Sequence, residues 1–294
     1  MRAAAILGLG CSEKPLTPFQ EASSASWALG LPANSQDADA ILIFGGDGTV
    51  HRHLAQLVRL QLPVLVVPTG SGNDFAQALH LRRVRDSLAA WTSFSFSANN
   101  VRTIDLGIIS PLTGEGSALQ KYYFCSVGGV GLDAETARRA NRLPRWLRGH
   151  GGYALSLPGA LLKFNAKKIR ISQPSANRPV EFEVRSDQST FLAAFANTPT
   201  YGGGMKIAPQ AATDDGKLDV CLIKNMDKVK LFYLFPSVYF GRHLSIAKVD
   251  YFQTERLRIE TELPLDVYAD GEYVCQTPVE VGVVRNALQI IVPV

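Results

Sequence analysis

The sequence predicts an α/β N-terminal domain built on a parallel sheet, followed by a mainly antiparallel β-sandwich C-terminal domain. Three observations carry that expectation. Short, wholly apolar runs alternate with helix-period segments in the first third of the chain. Glycine-rich turns follow those runs, as expected of strand–turn–helix units on a parallel sheet. After about residue 105, period-two alternation between closely spaced turns takes over, the pattern of an antiparallel sandwich.

Taken in order, residues 3–7 read as a first buried strand. The run ILIF at 41–44 is a second, and Val50, Leu54, Leu57 and Val58 then recur at helical spacing. The run VLVV at 64–67 repeats the construction, with Phe75, Ala76 and Leu79 on one helical face; Val84, Leu88 and Trp91 mark another short helix. Downstream, Val180, Phe182 and Val184, then Leu218, Val220 and Leu222, then Leu257 and Ile259 alternate as strands. Further short strands are expected at 121–130, 168–172, 190–196, 265–269, 272–275 and 288–292. Two segments interrupt the series: 133–164, helical in part, and 227–242, rich in aromatics. The domain boundary is placed between 1–110 and 111–294.

The chain has 294 residues, enough to bury a real core. Hydrophobic residues at 46% and charged residues at 19% exclude a disordered polymer. The net charge of +4 suits a nucleotide or an anionic membrane surface and does not call for nucleic acid. Cys11, Cys125, Cys221 and Cys275 lie far apart, without a C-x-x-C pair or clustered histidines. A disulfide scaffold and a zinc site are therefore not expected, and a reducing compartment is. No uncharged apolar run reaches the roughly 18–20 residues that span a bilayer. The opening ten residues make a poor secretion signal, and a first strand explains them better.

The chemistry is concentrated in two turns. GGDGT at 45–49 lies between a buried strand and a helix, where backbone N–H groups and the positive end of a helix dipole favour an anion. Its glycines permit close approach of a phosphate. Asp47 repels a phosphate directly, so it would act through Mg²⁺ or a hydroxyl; a capping Asp in an ordinary tight turn is the alternative. PTGSGND at 68–74 repeats the construction and adds the short hydrogen-bonding side chains of Thr69, Ser71 and Asn73. Asp74 stands at a helix start, where it would also serve as a cap. Neither turn is a Walker A sequence or a G-x-G-x-x-G fingerprint. On adjacent parallel strands both would open at the C-terminal edge of the sheet, where ligands bind in this class.

GGDGT followed by PTGSGNDFA resembles the diacylglycerol kinase catalytic family, lipid kinases that include sphingosine and ceramide kinases. NTPTYGGGM at 197–205, Ala208-Pro209, DDGKLD at 214–219 and Asp270-Gly271-Glu272 are similar to that family's second domain, in the family's order. The resemblance covers roughly 40–294. It implies a bacterial-type, ATP- and Mg²⁺-dependent lipid kinase with an NAD-kinase-like first domain for the nucleotide, a β-sandwich for the lipid substrate, and the active site between them. By that analogy Gly45, Gly46, Asp47, Gly48 and Thr49 hold nucleotide phosphates, and Thr69, Gly70, Ser71 and Asn73 line the same site. Asp47, Asp74 and Asp105 match acidic positions that organise Mg²⁺. Glu272 matches the family's general base, and Asp47 is counted with it as catalytic. Asp215, with backbone oxygens near Ala212 and Lys217, resembles a structural metal site. A carboxylate near its usual pKa of ~4 is a weak base, so Glu272 would take the proton late, as the hydroxyl bonds to phosphorus. Without the resemblance, Gly271-Glu272 reads as a sandwich hairpin with an exposed acid.

The chain also departs from the family's pattern. LGLGCSEK at 7–14 stands where the family has an Asn-Pro-containing loop, and His51-Arg52 stands where Asn-Glu is common. His51 and His53 are expected at exposed helix positions. Arg138, Arg139, Arg142, Arg145 and Arg148 around Trp146 suit an anionic membrane surface, with Arg142, Arg145 and Trp146 as the substrate-access residues. A solvated basic helix is the alternative. Segment 231–240 reads as an aromatic helix packed in the core, with membrane docking as its alternative. The expected place of action is the cytoplasm, peripheral at the inner membrane face. Two other functions fit parts of the pattern: an NAD or other small-molecule kinase sharing GGDGT, and a non-catalytic lipid- or nucleotide-binding homologue.

Overall fold

The computed structural model describes all residues except 114–119, 144–151, 176 and 179, and the side chains of 152–155. The chain divides into two compact units, Met1–Leu106 with Arg285–Val294, and Gly107–Val284.

The first unit contains β1 (Arg2–Leu7), α1 (Thr17–Glu21), β2 (Ser26–Leu29), β3 (Ala40–Gly45), α2 (Asp47–Leu60), β4 (Val64–Pro68), α3 (Asp74–Ala78), α4 (Val84–Ser97) and the start of β5 (Val101–Pro111). Its strands run in the order β4-β3-β1-β2, every neighbouring pair parallel. β3 is buried along its whole length, which explains why its sequence is continuously apolar. In α2 the buried stripe is Val50, Leu54, Leu57 and Leu60, with Val58 only half-buried. Its last turn closes on Gln61 in the left-handed region, whose N–H donates to Leu57 O. α4 is fastened by two hydrogen bonds, Ser87 Oγ to Val66 O (2.8 Å) and Trp91 Nε1 to Phe19 O (3.0 Å). A buried polar group keeps its partner in this way.

The second unit contains β6 (Tyr122–Phe124), β7 (Val127–Gly131), α5 (Leu132–Ala140), α6 (Gly152–Lys163), β8 (Lys167–Pro174), β9 (Phe182–Ala196), β10 (Leu218–Lys224), α7 (Lys228–Tyr239), β11 (Val249–Thr254), β12 (Arg256–Thr261), β13 (Asp266–Ala269), β14 (Glu272–Gln276) and the start of β15 (Val279–Ile291). The strand path is β14-β13-β7-β9-β8-β12-β15, with β10 pairing β9 and β11; every one of these pairs is antiparallel. Period-two geometry sends alternate residues of β9 and β10 into two cores. Ala194, Ala196, Cys221 and Ile223 meet Leu157, Leu161, Leu231 and Leu234 of the helices. Ala193, Phe195, Val220 and Leu222 face the strand residues Leu257, Ile259, Val267 and Val281.

The structure revises three expectations. Residues 285–294 join the first unit rather than the sandwich. Ile290 of β15 pairs in parallel with Val64, and Asn100 Nδ2 donates to Val292 O at 2.8 Å. An apolar strand pattern looks the same whichever sheet it completes, so 288–292 gave no sign of its destination. The strands expected at 180–184 and 190–196 are one, β9, whose polar middle disguised its continuity; Val180 lies outside it and is exposed. β11 was not expected, because its residues are half-buried and show weak alternation.

Candidate functional site

Within the first unit, β1, β3 and β4 are parallel neighbours, so the segments following them emerge at one sheet edge. GGDGT and PTGSGND follow β3 and β4, and they touch backbone to backbone. A Cβ on Gly70 would lie 2.4 Å from Gly46 Cα and 2.5 Å from Gly46 N, so this contact requires glycine. The Thr69 N–H donates to Gly45 O at 3.2 Å. Asp47, at the first position of α2, ties the turns together. Its Oδ2 accepts the Asp74 N–H and its Oδ1 the Phe75 N–H, both at 3.0 Å. These donors are at the start of α3, where backbone N–H groups lack helical partners.

Asn73 takes a left-handed conformation (φ 55°) and its Nδ2 donates to Gly70 O at 2.7 Å. Its Oδ1 is shielded and finds no hydrogen-bond partner among the described residues. Gly70 and Ser71 are exposed, and Gly46, Gly48, Thr49, Thr69 and Gly72 are half-buried, while Gly45 is buried. Thr49 packs against the backbone of Gly45 and Gly8, where an added Cβ would come within 2.5 and 2.8 Å of its Oγ1. The unusual first loop therefore reaches the same place. Cys11 Sγ lies in a hydrogen bond with Thr69 Oγ1 at 3.5 Å. In the sequence Gly8 and Cys11 belong only to the departing first loop, with no site role; the pairing of β1 beside β3 is what brings them here. His51 and His53 lie on α2 but are half-buried rather than exposed, and burial, then the charge of Arg52, lowers the His53 pKa.

These residues suit an anionic ligand with hydroxyls. Two bare glycine turns leave backbone accessible, and the orphaned Asn73 Oδ1 accepts a donor that the protein does not supply. Mg²⁺ also fits, because a Cβ on Gly72 would lie 3.1 Å from Asp47 Oδ2 and 3.9 Å from Asp74 Oδ2. Two carboxylates beside one turn are what Mg²⁺ takes when phosphate oxygens and waters complete its shell. Asp105 is buried, and its Oδ1 accepts the N–H of Asn286, a left-handed residue, at 2.8 Å. Among the described residues no three His, Cys, Asp or Glu side chains group to hold a metal ion, so an ion at these turns would draw the rest of its shell from phosphate and water.

Within the second unit, Asp270 (φ 52°) and Gly271 (φ 82°) form a two-residue hairpin turn between β13 and β14. The Asp270 carboxylate accepts the N–H groups of Cys125 (2.9 Å) and Ser126 (2.8 Å), and Asn141 Nδ2 donates to Gly271 O at 2.7 Å. Asn197, the first residue of NTPTYGGGM, holds the same segment through its N–H to Ser126 O and its Nδ2 to Cys125 O. Glu272 opens β14 with its side chain exposed, on a turn whose backbone is held from three places. Asp215 Oδ1 accepts the Lys217 N–H at 3.0 Å. Beside it Asp219, fully buried, accepts Tyr251 OH (2.5 Å) and Gln253 Nε2 (3.2 Å). Burial raises the Asp219 pKa, against the hydrogen bonds from Tyr251 and Gln253 that lower it.

Arg138 and Arg139 both grip Glu135, with shortest N–O distances of 2.6 Å. Burial alone would raise the Glu135 carboxyl, but those hydrogen bonds and charges hold it below the usual range. Two cations of the basic run are thus matched within α5. Arg142 is exposed; Arg145, Trp146 and Arg148 lie outside the described residues. Among the described residues no helix is long and apolar enough to cross a membrane.

Comparison with known proteins decides the family. Residues 19–109 match the diacylglycerol kinase catalytic domain, and residues 126–292 match the YegS C-terminal NAD kinase beta sandwich-like domain. A diacylglycerol kinase of Mycobacterium tuberculosis is 32% identical over 268 residues, 89% of this chain and 79% of that protein. The chain belongs to the diacylglycerol kinase family. A solved diacylglycerol kinase structure from Bacillus anthracis shares the family fold at a TM-score of 0.68 and 18% identity, over 99% of this chain and 96% of that one. An NAD kinase from Archaeoglobus fulgidus, solved in complex with ATP, shares it at a TM-score of 0.54 and 13% identity, over 100% of this chain and 94% of that one. The family match begins at residue 19, upstream of the roughly 40–294 covered by motif resemblance.

Proposed function

We propose that this protein transfers the terminal phosphate of ATP, with Mg²⁺, to a hydroxyl of diacylglycerol or a similar lipid at the cytoplasmic face of a membrane. The observation that carries the reading is the pair of turns packed at Gly46 and Gly70 and tied by Asp47. It is a glycine-rich surface beside two carboxylates, which suits a polyphosphate. Gly45, Gly46, Gly48, Thr49, Thr69, Gly70 and Ser71 present backbone and hydroxyl groups to the phosphates, and Asn73 Oδ1 accepts a nucleotide or water donor. Mg²⁺, when bound, supplies charge neutralisation for phosphate oxygens. Asp47 and Asp74 would hold it, with Asp105 as the third acid of the set, and Asp105 also accepts the Asn286 N–H. Glu272, on its fixed turn, takes the proton of the acceptor hydroxyl as the new P–O bond forms. The M. tuberculosis relative, a diacylglycerol kinase, supports this acceptor class.

The test is transfer of γ-labelled phosphate from ATP·Mg²⁺ into a panel of lipids in mixed micelles, with NAD as a soluble acceptor control. Label in an organic-phase product, lost in Glu272→Gln, is the expected result. Label only in NADP would replace the lipid with a soluble acceptor. Nucleotide binding without transfer to any acceptor would leave a binding protein.

A further inference from the structure

α7 is apolar on two faces, and among the described residues only one of them is covered. Leu231, Leu234 and Val238, spaced i, i+3, i+7, are buried in the core beneath β9 and β10. On the opposite face Val229, Phe232, Tyr233 and Pro236 follow at i, i+3, i+4, i+7, and Phe240 continues the stripe just past the helix end. All five are exposed, Tyr233 and Phe240 by 75% and 73%. An unbroken row of large apolar side chains in water marks an interaction surface rather than ordinary surface scatter.

The charges around it identify the occupant. From 228 to 249 the charged residues are Lys228, Lys230, Arg242 and Lys248, and there is no acid. Asp227, immediately before, uses its carboxylate on the helix itself, accepting the N–H groups of Val229 (2.9 Å) and Lys230 (3.3 Å). Lys228 and Lys230 lie on the two flanks of the apolar stripe, and Lys228 Nζ donates to Leu162 O, beside the exposed Leu162 side chain of α6. Lys206 N–H donates to Val238 O, which places a further exposed cation against the helix. Phenylalanine and tyrosine rings between lysines match the boundary of an anionic bilayer, where rings enter the acyl region and ammonium groups reach the head groups.

We infer that the outer face of α7 is a membrane-docking surface, seating the second unit on anionic phospholipid with Val229, Phe232, Tyr233, Pro236 and Phe240 inserted and Lys228 and Lys230 at the head groups. This adds α7 to the basic run of 138–148 as a docking surface. It rests on the proposed lipid acceptor, since a kinase of membrane lipids must reach a bilayer.

Vesicle flotation without nucleotide tests it separately from catalysis. Vesicles of phosphatidylcholine alone are compared with vesicles of equal parts phosphatidylcholine and phosphatidylglycerol. Wild type is expected to float with the anionic vesicles. The triple variant Phe232→Ser, Tyr233→Ser, Phe240→Ser should partition at least about tenfold less, with an unchanged melting temperature because these side chains are solvent-facing. Lys230→Glu should weaken binding to the anionic vesicles only. Flotation of the triple variant equal to wild type, or no flotation of wild type, overturns the inference. So does a wild-type dimer in ultracentrifugation that the triple variant splits while vesicle binding persists, because the face would then join two copies. Failure of phosphate transfer with vesicle binding intact would refute the proposed reaction and leave the docking surface standing.

Discussion

Asp47 and Asp74 are joined by a 3.0 Å hydrogen bond from the Asp74 backbone N–H to the Asp47 carboxylate, and Phe75 donates a second to the other oxygen. An acid that reads in the sequence as a metal or phosphate-site residue is thus also the fastener between the two turns. Its two tasks separate experimentally. Asp47→Ala removes both acceptors and should abolish phosphate transfer while lowering stability by about 2 kcal/mol in urea unfolding. Asp47→Asn retains one acceptor and should recover part of that stability without recovering transfer. Near-normal turnover in Asp47→Asn would show that the negative charge has no part in the reaction.

Gly70→Ala places a methyl group 2.4 Å from Gly46 Cα, against backbone that has no rotamer to change. The turns must separate. A loss of about 1–3 kcal/mol is expected, with ATP affinity, measured by calorimetry, falling more than stability alone explains. Unaltered ATP affinity would detach this contact from nucleotide binding.

Glu272 and Asp270 are two residues apart and should behave oppositely. Glu272 is exposed, so Glu272→Gln should change stability by less than about 0.5 kcal/mol while slowing transfer by roughly 10²–10⁴. Asp270 holds the N–H groups of Cys125 and Ser126, so Asp270→Ala should cost about 2 kcal/mol or more and reduce transfer through loss of the turn. Melting curves and initial rates on both variants make the comparison.

His243 is fully buried. Its Nε2 lies 3.1 Å from Ile207 O, an acceptor, so the proton sits on Nε2; Nδ1 has no partner among the described residues. Burial lowers its pKa, with the Ile207 hydrogen bond opposing. The unfolded chain therefore binds this proton at a higher pH, about 6.5, than the folded chain does. Stability is full above that value and falls as pH drops, by up to about 1.4 kcal/mol per pH unit while only the unfolded state is protonated. His243→Gln should flatten the pH dependence of the melting temperature below pH ~6.5. An unchanged slope would assign the acid sensitivity elsewhere.

The sequence by itself determined the order of the architecture and the address of the chemistry. Apolar runs at 41–44 and 64–67 required strands buried on both faces, and helix-period residues after each required covering helices, so a parallel sheet followed. Alternation beyond residue 105 required an antiparallel unit, and the GGDGT and PTGSGND turns carried the resemblance to the family. Three things were decided only by the tertiary structure. Residues 285–294 returned to the first sheet because Val64 and Asn100 offered partners there that no local pattern records. Cys11 and Gly8 joined the turn cluster because β1 lies beside β3, a fact of strand order. The apolar residues of α7 divided into a buried face, Leu231, Leu234 and Val238, and an exposed one that carries Phe232 and Tyr233. Periodicity states which side chains share a face, but only neighbouring elements decide whether that face is covered.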